Sequence, residues 1–347
     1  MRPKIKIGVT GLNAIDNPGP GVAVIRGLLE ASSFEASIIG LAYESLEPGI
    51  YMHDIVDRTY QIPYPTSGTD LLLERLTYIH EKESLDVIIP NFDAELFSFI
   101  KLEPKLKKMG INMFMPTLDQ FEERLKVNLP KFGKKYNINV PKSESIYSVA
   151  DFRKHKDDFE WPIVVKGKHY DAKIAYNKDQ LQTHFNKISA KWGLPIIIQE
   201  FKHGSEFNVT GVGDGNGNTL SAVPMRKQYI TEIGKAWGGI AITDSKLLDL
   251  THHFIKETKW RGAFELELMK NKDGKFYLLE INPRIPAWVY LAVGVGQNIP
   301  ELIVNLALGN EVEPITTFKA GKMFIRYSWE MIVDIEEFEK ISTTGEL

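Results

Sequence analysis

The segment Phe264–Arg284, FELELMKNKDGKFYLLEINPR, crowds acids and an amide into two short alternating runs. Asp273-Gly274 between the runs is a two-residue turn signal. With that pair as the loop, Lys272 faces Lys275, Glu267 faces Glu280 and Glu265 faces Asn282. Period-2 alternation then puts those acids and Asn282 on one face, and Phe264, Leu266, Leu268, Leu279 and Ile281 on the other, toward a core. Directly opposed residues have Cβ atoms about 4.5–5.5 Å apart, where like charges repel. Three carboxylates in one patch suit a hard cation, because magnesium takes oxygen ligands at about 2.0–2.1 Å and joins carboxylates to nucleotide phosphates. Glu267, Glu280 and Asn282 are the candidate metal ligands. The competing reading is the solvated outer face of an ordinary hairpin, although such faces usually mix lysine with the acids.

The elements that must hold these groups are legible from hydrophobic periodicity. Lys4–Thr10 (KIKIGVT) reads as a buried strand, and Pro20–Ala31 as a helix with Val22, Ile25, Leu28 and Leu29 at helical spacing. Ser37–Leu41 is another strand, and Thr69 and Asp70 cap a helix carrying Leu72, Leu73, Leu76 and Ile79. Asp86–Pro90 is a strand, Glu95–Lys108 a helix and Ile111–Met115 a strand. This alternation predicts a parallel α/β sheet. Ligands of such sheets sit beyond the carboxyl ends of the strands, which here carry Gly11–Gly21 and Asn91, Asp93 and Glu95. Glu95 has a plainer role open to it as a helix cap, and the Gly11–Gly21 stretch has one as loop geometry.

Leu118–Lys135 reads as helical. Strands Pro162–Lys166 and Pro195–Glu200 flank a helical stretch at Asp179–Trp192, forming a second unit. A third begins near Phe201 and contains a helix at Ser245–Thr258, the hairpin and a helix at Pro300–Leu308. The charged segment Gly321–Leu347 reads as a frayed tail.

Composition narrows the function classes. The 347 residues are 43% hydrophobic, enough for two or three packed domains. A formal charge of -3 gives no broad attraction to nucleic acid or an anionic membrane. The chain has no cysteine, which excludes disulfides, thiolate metal sites and cysteine nucleophiles. The start, Met-Arg-Pro-Lys, lacks the apolar core of a signal peptide, and no apolar run approaches the ~20 residues that span a bilayer. A cytoplasmic location is the expectation.

Glu267, followed thirteen positions later by Glu280-x-Asn282, resembles the ATP-grasp superfamily. The ending Asn282-Pro283-Arg284 is most similar to its carbamoyl phosphate synthase large-subunit and biotin carboxylase branch. Other pieces fall in the order this resemblance implies, from Lys126 to Arg284. Lys166 ends the strand PIVVK, as does the family's phosphate-contacting lysine. Lys126 resembles the lysine ahead of the small ATP-covering domain. QEFKHGSEF (Gln199 to Phe207) resembles the hinge, so the match implies adenine contacts from Gln199, Glu200 and the Phe201 backbone, and a ribose contact from Glu206. Arg226 and Lys227 open a loop ending at Trp237-Gly238-Gly239, similar to one that closes over phosphates in relatives. The stretch after Lys166, GKHYDAKIAY, departs from the family's glycine-rich loop, with Lys168, His169 and Lys173 as electrostatic compensation.

The resemblance implies an α/β and α+β ATP-grasp fold. Its parts are an N-terminal parallel α/β domain at 1–117, a small ATP-covering subdomain at 118–199 and a C-terminal antiparallel-sheet subdomain with the metal hairpin at 200–347. It implies ATP and magnesium, with manganese as the alternative ion. The reaction implied is ADP-forming carboxylate–amine ligation through an acyl phosphate, with Lys166 on the phosphates and Arg284 on the substrate carboxylate or the developing charge. Rival readings are a bicarbonate-using carbamoyl-phosphate or carboxylase-type enzyme, a kinase phosphorylating a hydroxyl, and a non-catalytic ATP-binding regulator. The acyl and amine substrates, a peptide among them, stay open, as does assembly, with a homodimer one option.

Overall fold

A computed structural model describes the chain apart from residues 1, 16, 156–157, 169–170, 232–233 and 329 and the side chain of Arg153. Two compact units emerge. The first comprises Met1–Leu118, Asn208–Glu265 and Asn282–Leu347, and the second Asp119–Phe207 and Leu266–Ile281.

The first unit opens with alternating strands and helices: β1 (Lys4–Val9), α1 (Pro20–Leu29), β2 (Glu35–Ala42), β3 (Arg58–Gln61), α2 (Thr69–Glu83), β4 (Val87–Ile89) and α3 (Asp93–Lys108). The strands pair in the order β3-β2-β1-β4, every neighbour parallel. β2 (EASIIGLA) and β4 (VII) are mostly apolar and β1 (KIKIGV) becomes so toward its carboxyl end, as strands covered on both faces require, while the edge strand β3 reads RTYQ. Pro20 starts α1, where its missing N–H costs nothing. Gly21 there donates to Gly11 O at 2.8 Å. A Cβ on Gly21 would meet Thr10 O at 2.4 Å, so only glycine lets the loop fold this tightly onto the strand end. Thr69 and Asp70 lie inside α2 rather than capping it, and the cap position is Gly68. Ile111–Met115 contributes one bridge, Asn112 to Val87, instead of a strand.

In the second unit, Leu118–Lys135 is not one helix. It breaks into α4 (Leu118–Glu123), a short 3-10 turn at Lys126–Asn128 and α5 (Leu129–Lys135). Pro130 at the start of α5 explains the break, because it cannot donate into a preceding turn. A four-stranded antiparallel sheet follows, ordered β5 (Ser143–Ile146), β8 (Ile196–Glu200), β6 (Ile163–Gly167) and β7 (Ala172–Ala175), with α6 (Lys178–Trp192) between β7 and β8 in the chain. Ile146, Val165, Leu181, Phe185 and Ile198 make its core.

Strands β9 (Ser205–Asp214), β10 (Thr219–Ile230) and β11 (Ala236–Ala241), helix α7 (Ser245–Thr258), and strands β12 (Arg261–Lys270) and β13 (Phe276–Asn282) come next. After α8 (Tyr290–Gly294), α9 (Ile299–Ala307) and β14 (Met323–Ile325), α10 (Ile335–Thr344) closes the sequence. The sheet order is β13-β12-β9-β10-β11-β14. In the first unit α1 packs on α9, and Val24, Ile25 and Leu28 share a core with Val223, Ile303 and Ile341.

The last segment is not frayed. Leu347 and Thr59 exchange two backbone hydrogen bonds at 2.9 Å, and Gln61 N donates to Gly345 O at 2.9 Å. The chain end thereby covers the open edge of β3, as exposed strand edges require. Ile341 on α10 is fully buried beneath it.

Candidate functional site

The hairpin turn differs from the two-residue form expected from Asp273-Gly274. Asn271 N donates to Lys275 O, and Gly274 N to Asn271 O, each at 3.0 Å, so the loop is Lys272-Asp273-Gly274 and Asn271 faces Lys275. Gly274 has φ of 74°, which a third loop residue in the left-handed region needs. Alternation then slips once along β13: Phe276 and Leu278 are buried, Leu279 and Glu280 are both half-buried, and Ile281 is buried. Leu278, not Leu279, joins the core. The slip offsets the turn, since Asn282 ends up beside Glu265, as the residue pattern requires.

Within the second unit, Lys166 at the end of β6 is only 9% exposed. Burial pushes its ammonium down to about 8; Glu280, Glu267 and Glu206 act in the opposite sense, and Lys126 adds to the depression. Five sequence-expected residues therefore lie within one electrostatic neighbourhood. Lys126, in the short turn before α5, places Nζ 3.1 Å from Glu280 Oε1. Two lysines facing an acid pair form a site for anionic oxygens that also carries oxygen ligands for a cation.

The hinge residues lie on β8 and just beyond it. Gln199 is buried and donates to Ser143 Oγ at 3.0 Å. Glu200 pairs with Lys202 and accepts from Lys142 N at 3.3 Å. The Phe201 ring stands edge-on to His203 at 4.7 Å. In the glycine-poor stretch, β7 pairs antiparallel with β6. Gly167 N donates to Asp171 O at 3.0 Å, Asp171 takes φ of 65°, and Trp192 Nε1 and Lys191 bind its carboxylate. Lys173 is exposed on β7, and His169 lies outside the described residues.

Within the first unit, the Arg226–Gly239 stretch is a paired hairpin rather than an open loop: Arg226 faces Ile240 and Lys227 faces Gly239, with register shifts between Lys227, Tyr229 and Ile230. Lys227 Nζ reaches Gly234 O at 3.5 Å. Arg284 Nε donates to Asp93 Oδ2 at 2.7 Å, and its Nη1 lies 3.8 Å from Glu265. Glu265 does not stand as a third metal acid. Its carboxylate is taken by Asn208, Trp288 and Asn282. Asn282 is the facing residue that the hairpin pattern gives, whereas Asn208 and Trp288 come from other elements and nothing in the hairpin announces them.

At the carboxyl edge of the parallel sheet Glu95 is buried. It accepts from Thr10 Oγ1 at 2.5 Å, Asn91 N at 2.7 Å, Phe92 N at 2.9 Å and the Tyr43 hydroxyl. Burial raises its carboxyl above the usual range, and these hydrogen bonds oppose the rise. Glu95 thus caps α3 and ties β1, β2 and β4 together. Tyr43 and Glu47, which sequence reading passed over, complete the cluster.

Among the described residues, no three His, Asp or Glu side chains gather as a metal cage. Within the second unit, Glu267 and Glu280 both act on Lys166, and carboxylate oxygens such as theirs suit magnesium, which keeps waters and phosphate oxygens in its shell.

Comparison with known proteins bears on these features. Residues 194–328 match a family described as ATP-grasp in the biosynthetic pathway with Ter operon. The carbamoyl phosphate synthase large chain of Thermoanaerobacter sp. (strain X514) is 24% identical over 334 residues, covering 85% of this chain and 29% of that one. The chain therefore spans less than a third of that relative's length. The biotin carboxylase domain dimer of Hydrogenobacter thermophilus 2-oxoglutarate carboxylase, solved with MgADP, ADP and bicarbonate, superposes with a TM-score of 0.69 at 17% identity, over 90% of this chain and 71% of that one. L-amino acid ligase from Bacillus licheniformis gives 0.61 at 15% identity, over 88% and 74%. No described helix is long and apolar enough to cross a membrane.

Proposed function

We infer an ADP-forming ligase that activates a small carboxylate as an acyl phosphate and passes the acyl group to an amine, a reading supported by the ATP-grasp fold and by similarity to carbamoyl phosphate synthase large chains and biotin carboxylases. The observation that carries this is the buried Lys166 set among Lys126, Glu267 and Glu280. A binding module has no need to hold a desolvated lysine beside an acid pair, whereas phosphoryl transfer works almost wholly by such positioning and charge.

In this reading residues 118–199 cover the nucleotide and 200–347 carry the metal hairpin. Gln199, Glu200 and the Phe201 backbone meet adenine, and Glu206 meets ribose. Lys166 and Lys126 would hold phosphate oxygens, and Lys227 is a further candidate for contact with the nucleotide. Glu267 and Glu280 would hold magnesium or manganese, and Asn282, two residues further along β13, is the remaining candidate ligand. What a divalent ion supplies is neutralisation of charge on the phosphates. Arg284 offers a planar fork to the substrate carboxylate, its Nε anchored by Asp93. Water exclusion protects the acyl phosphate until an amine, from an amino acid or a peptide, displaces phosphate. A homodimer and a cytoplasmic location go with this reading.

The test is a panel of acids and amines assayed for ADP and phosphate release, with hydroxylamine added to trap the acyl phosphate. Acid-dependent ADP release with a hydroxamate product is the expected result; AMP and pyrophosphate would overturn it. Similarity in fold to the biotin carboxylase domain solved with bicarbonate favours bicarbonate as a second candidate acid, recognised by bicarbonate-dependent ADP release without any organic acid.

A further inference from the structure

We propose that Ser143 is a positioning residue that makes Gln199 present an acceptor to the base, selecting a 6-amino purine over a 6-oxo purine, an inference that rests on the nucleotide reading above. Every group it uses lies in the second unit. Strand β8 pairs with both β5 and β6, and the registers set Gln199 opposite Ser143 and Val164, and Ile197 opposite Lys166. Opposed residues share a face, and side chains alternate along each strand. Ser143, Lys166 and Gln199 therefore stand on one face of this sheet, while Ile146, Val165, Ile196 and Ile198 fill the core on the other. Gln199 is the diagonal neighbour of Lys166, a relationship that spans about 7–8 Å in such a ladder. A nucleotide whose phosphates meet Lys166 can reach Gln199 with its base without leaving this face.

Proton counting sets the direction of the Gln199 amide. The Ser143 hydroxyl has one hydrogen, and it donates that hydrogen to Pro141 O at 3.0 Å. Its oxygen is then left to accept, and Gln199 Nε2 donates to it at 3.0 Å. Among the described residues this is the one side-chain hydrogen bond of Gln199. Ser143 and Gln199 are 7% and 4% exposed, so bulk water is a poor substitute for either partner. An amide is planar with oxygen and nitrogen on opposite branches, so turning Nε2 to Ser143 turns Oε1 away from it. Adenine carries an amino donor at C6, where guanine carries an oxygen acceptor. The presented Oε1 accepts from the first and repels the second. A glutamate at this position would offer an acceptor on either branch. A glutamine does so only when its rotation is fixed, and here Pro141 O fixes it through Ser143.

Isothermal titration of the whole chain with ATP and with GTP, each with magnesium and with no acid or amine present, reads this without turnover. The wild type is expected to prefer ATP. Ser143→Ala removes the hydroxyl and frees the amide to rotate. It is expected to narrow the ATP-over-GTP affinity ratio about tenfold, the weight of one hydrogen bond. Ser143→Cys keeps nearly the same volume with a weakly hydrogen-bonding thiol. It should lose the ratio in the same way, which covers the case in which the smaller alanine disturbs folding. The rescue is Ser143→Ala combined with Gln199→Glu. A carboxylate accepts on both oxygens and needs no fixed rotation, so the ratio should return to near the wild-type value, a recovery that a merely structural serine would not give. Melting temperatures taken alongside confirm that each variant is folded.

A wild-type ratio in Ser143→Ala or Ser143→Cys, a folded double variant as unselective as the single one, or a wild type that binds GTP as tightly as ATP would overturn the orienting role alone. Absence of ATP binding in the wild type would overturn the nucleotide reading and the orienting role together, which separates the two failures.

Discussion

Lys126 Nζ stands 3.1 Å from Glu280 Oε1, joining the short turn before α5 to the outer part of β13 within the second unit. The pair is part-exposed, so its contribution to stability is small, about 0–1 kcal/mol. Its chemical weight is larger, because Glu280 belongs to the group that surrounds Lys166. Glu280→Gln is expected to lower kcat at least about 100-fold, in line with loss of one electrostatic group at a phosphoryl-transfer centre, while thermal unfolding shifts little. Steady-state kinetics paired with calorimetry checks both. Undiminished turnover would remove Glu280 from the site.

Lys166 is held at a net cost to the fold. Burial, the largest influence, depresses its ammonium from 10.5 to about 8 despite three nearby carboxylates. Lys166→Met keeps the stem and removes the charge. The nucleotide-free protein should gain stability at pH 7, by about 3 kcal/mol at most from the size of the shift, while ATP affinity and turnover fall sharply. Urea unfolding and isothermal titration with ATP make the comparison; equal losses in both would mean the lysine is structural.

Glu47 gives a pH signature in the first unit. Burial raises its carboxyl from 4.5 to about 7, against hydrogen bonds from Tyr43 N and Glu44 N. Its second oxygen is buried without a hydrogen-bond partner. The unfolded chain releases this proton near 4.5 and the folded chain holds it to about 7, so between those values the folded state binds more protons. Glu47's contribution therefore becomes less favourable as pH rises through that window, by about 3 kcal/mol at most, and is constant above it. Glu47→Gln should stabilise the protein at about pH 8 and change little at about pH 4.5. A stability difference that does not vary with pH would refute the assignment.

Ile341 tests the docking of α10. It is fully buried and belongs to the core of the first unit. Ile341→Ala should cost about 2–4 kcal/mol. Amide exchange at Thr59 and Gln61, whose N–H groups donate to Leu347 O and Gly345 O, should quicken with it. Unaltered protection at those two amides would mean the chain end docks independently of the helix.

Local pattern alone was enough to read the alternating elements of the first unit, the flanking strands around Lys166 and the acidic hairpin, along with the family resemblance they carry. Periodicity of 2 or 3.6 residues is written in neighbouring positions and survives in any environment that buries one face. Where a reading rested on finer local geometry it missed. A loop of two residues and one of three share the same Asp-Gly, and the choice lies in a single backbone angle at Gly274.

Residue types and spacing thus determined the fold class and nominated Lys126, Lys166, Glu267, Glu280 and Asn282. Tertiary structure alone decided that Lys166 is desolvated, that Arg284 is anchored by Asp93, that the chain end covers β3, and that Asn208 and Trp288 join Asn282 in donating to Glu265. The reason is that burial and hydrogen-bond direction depend on groups supplied by distant stretches of chain. A carboxylate has the same formula whether it meets a metal or three N–H donors, and only packing selects between them.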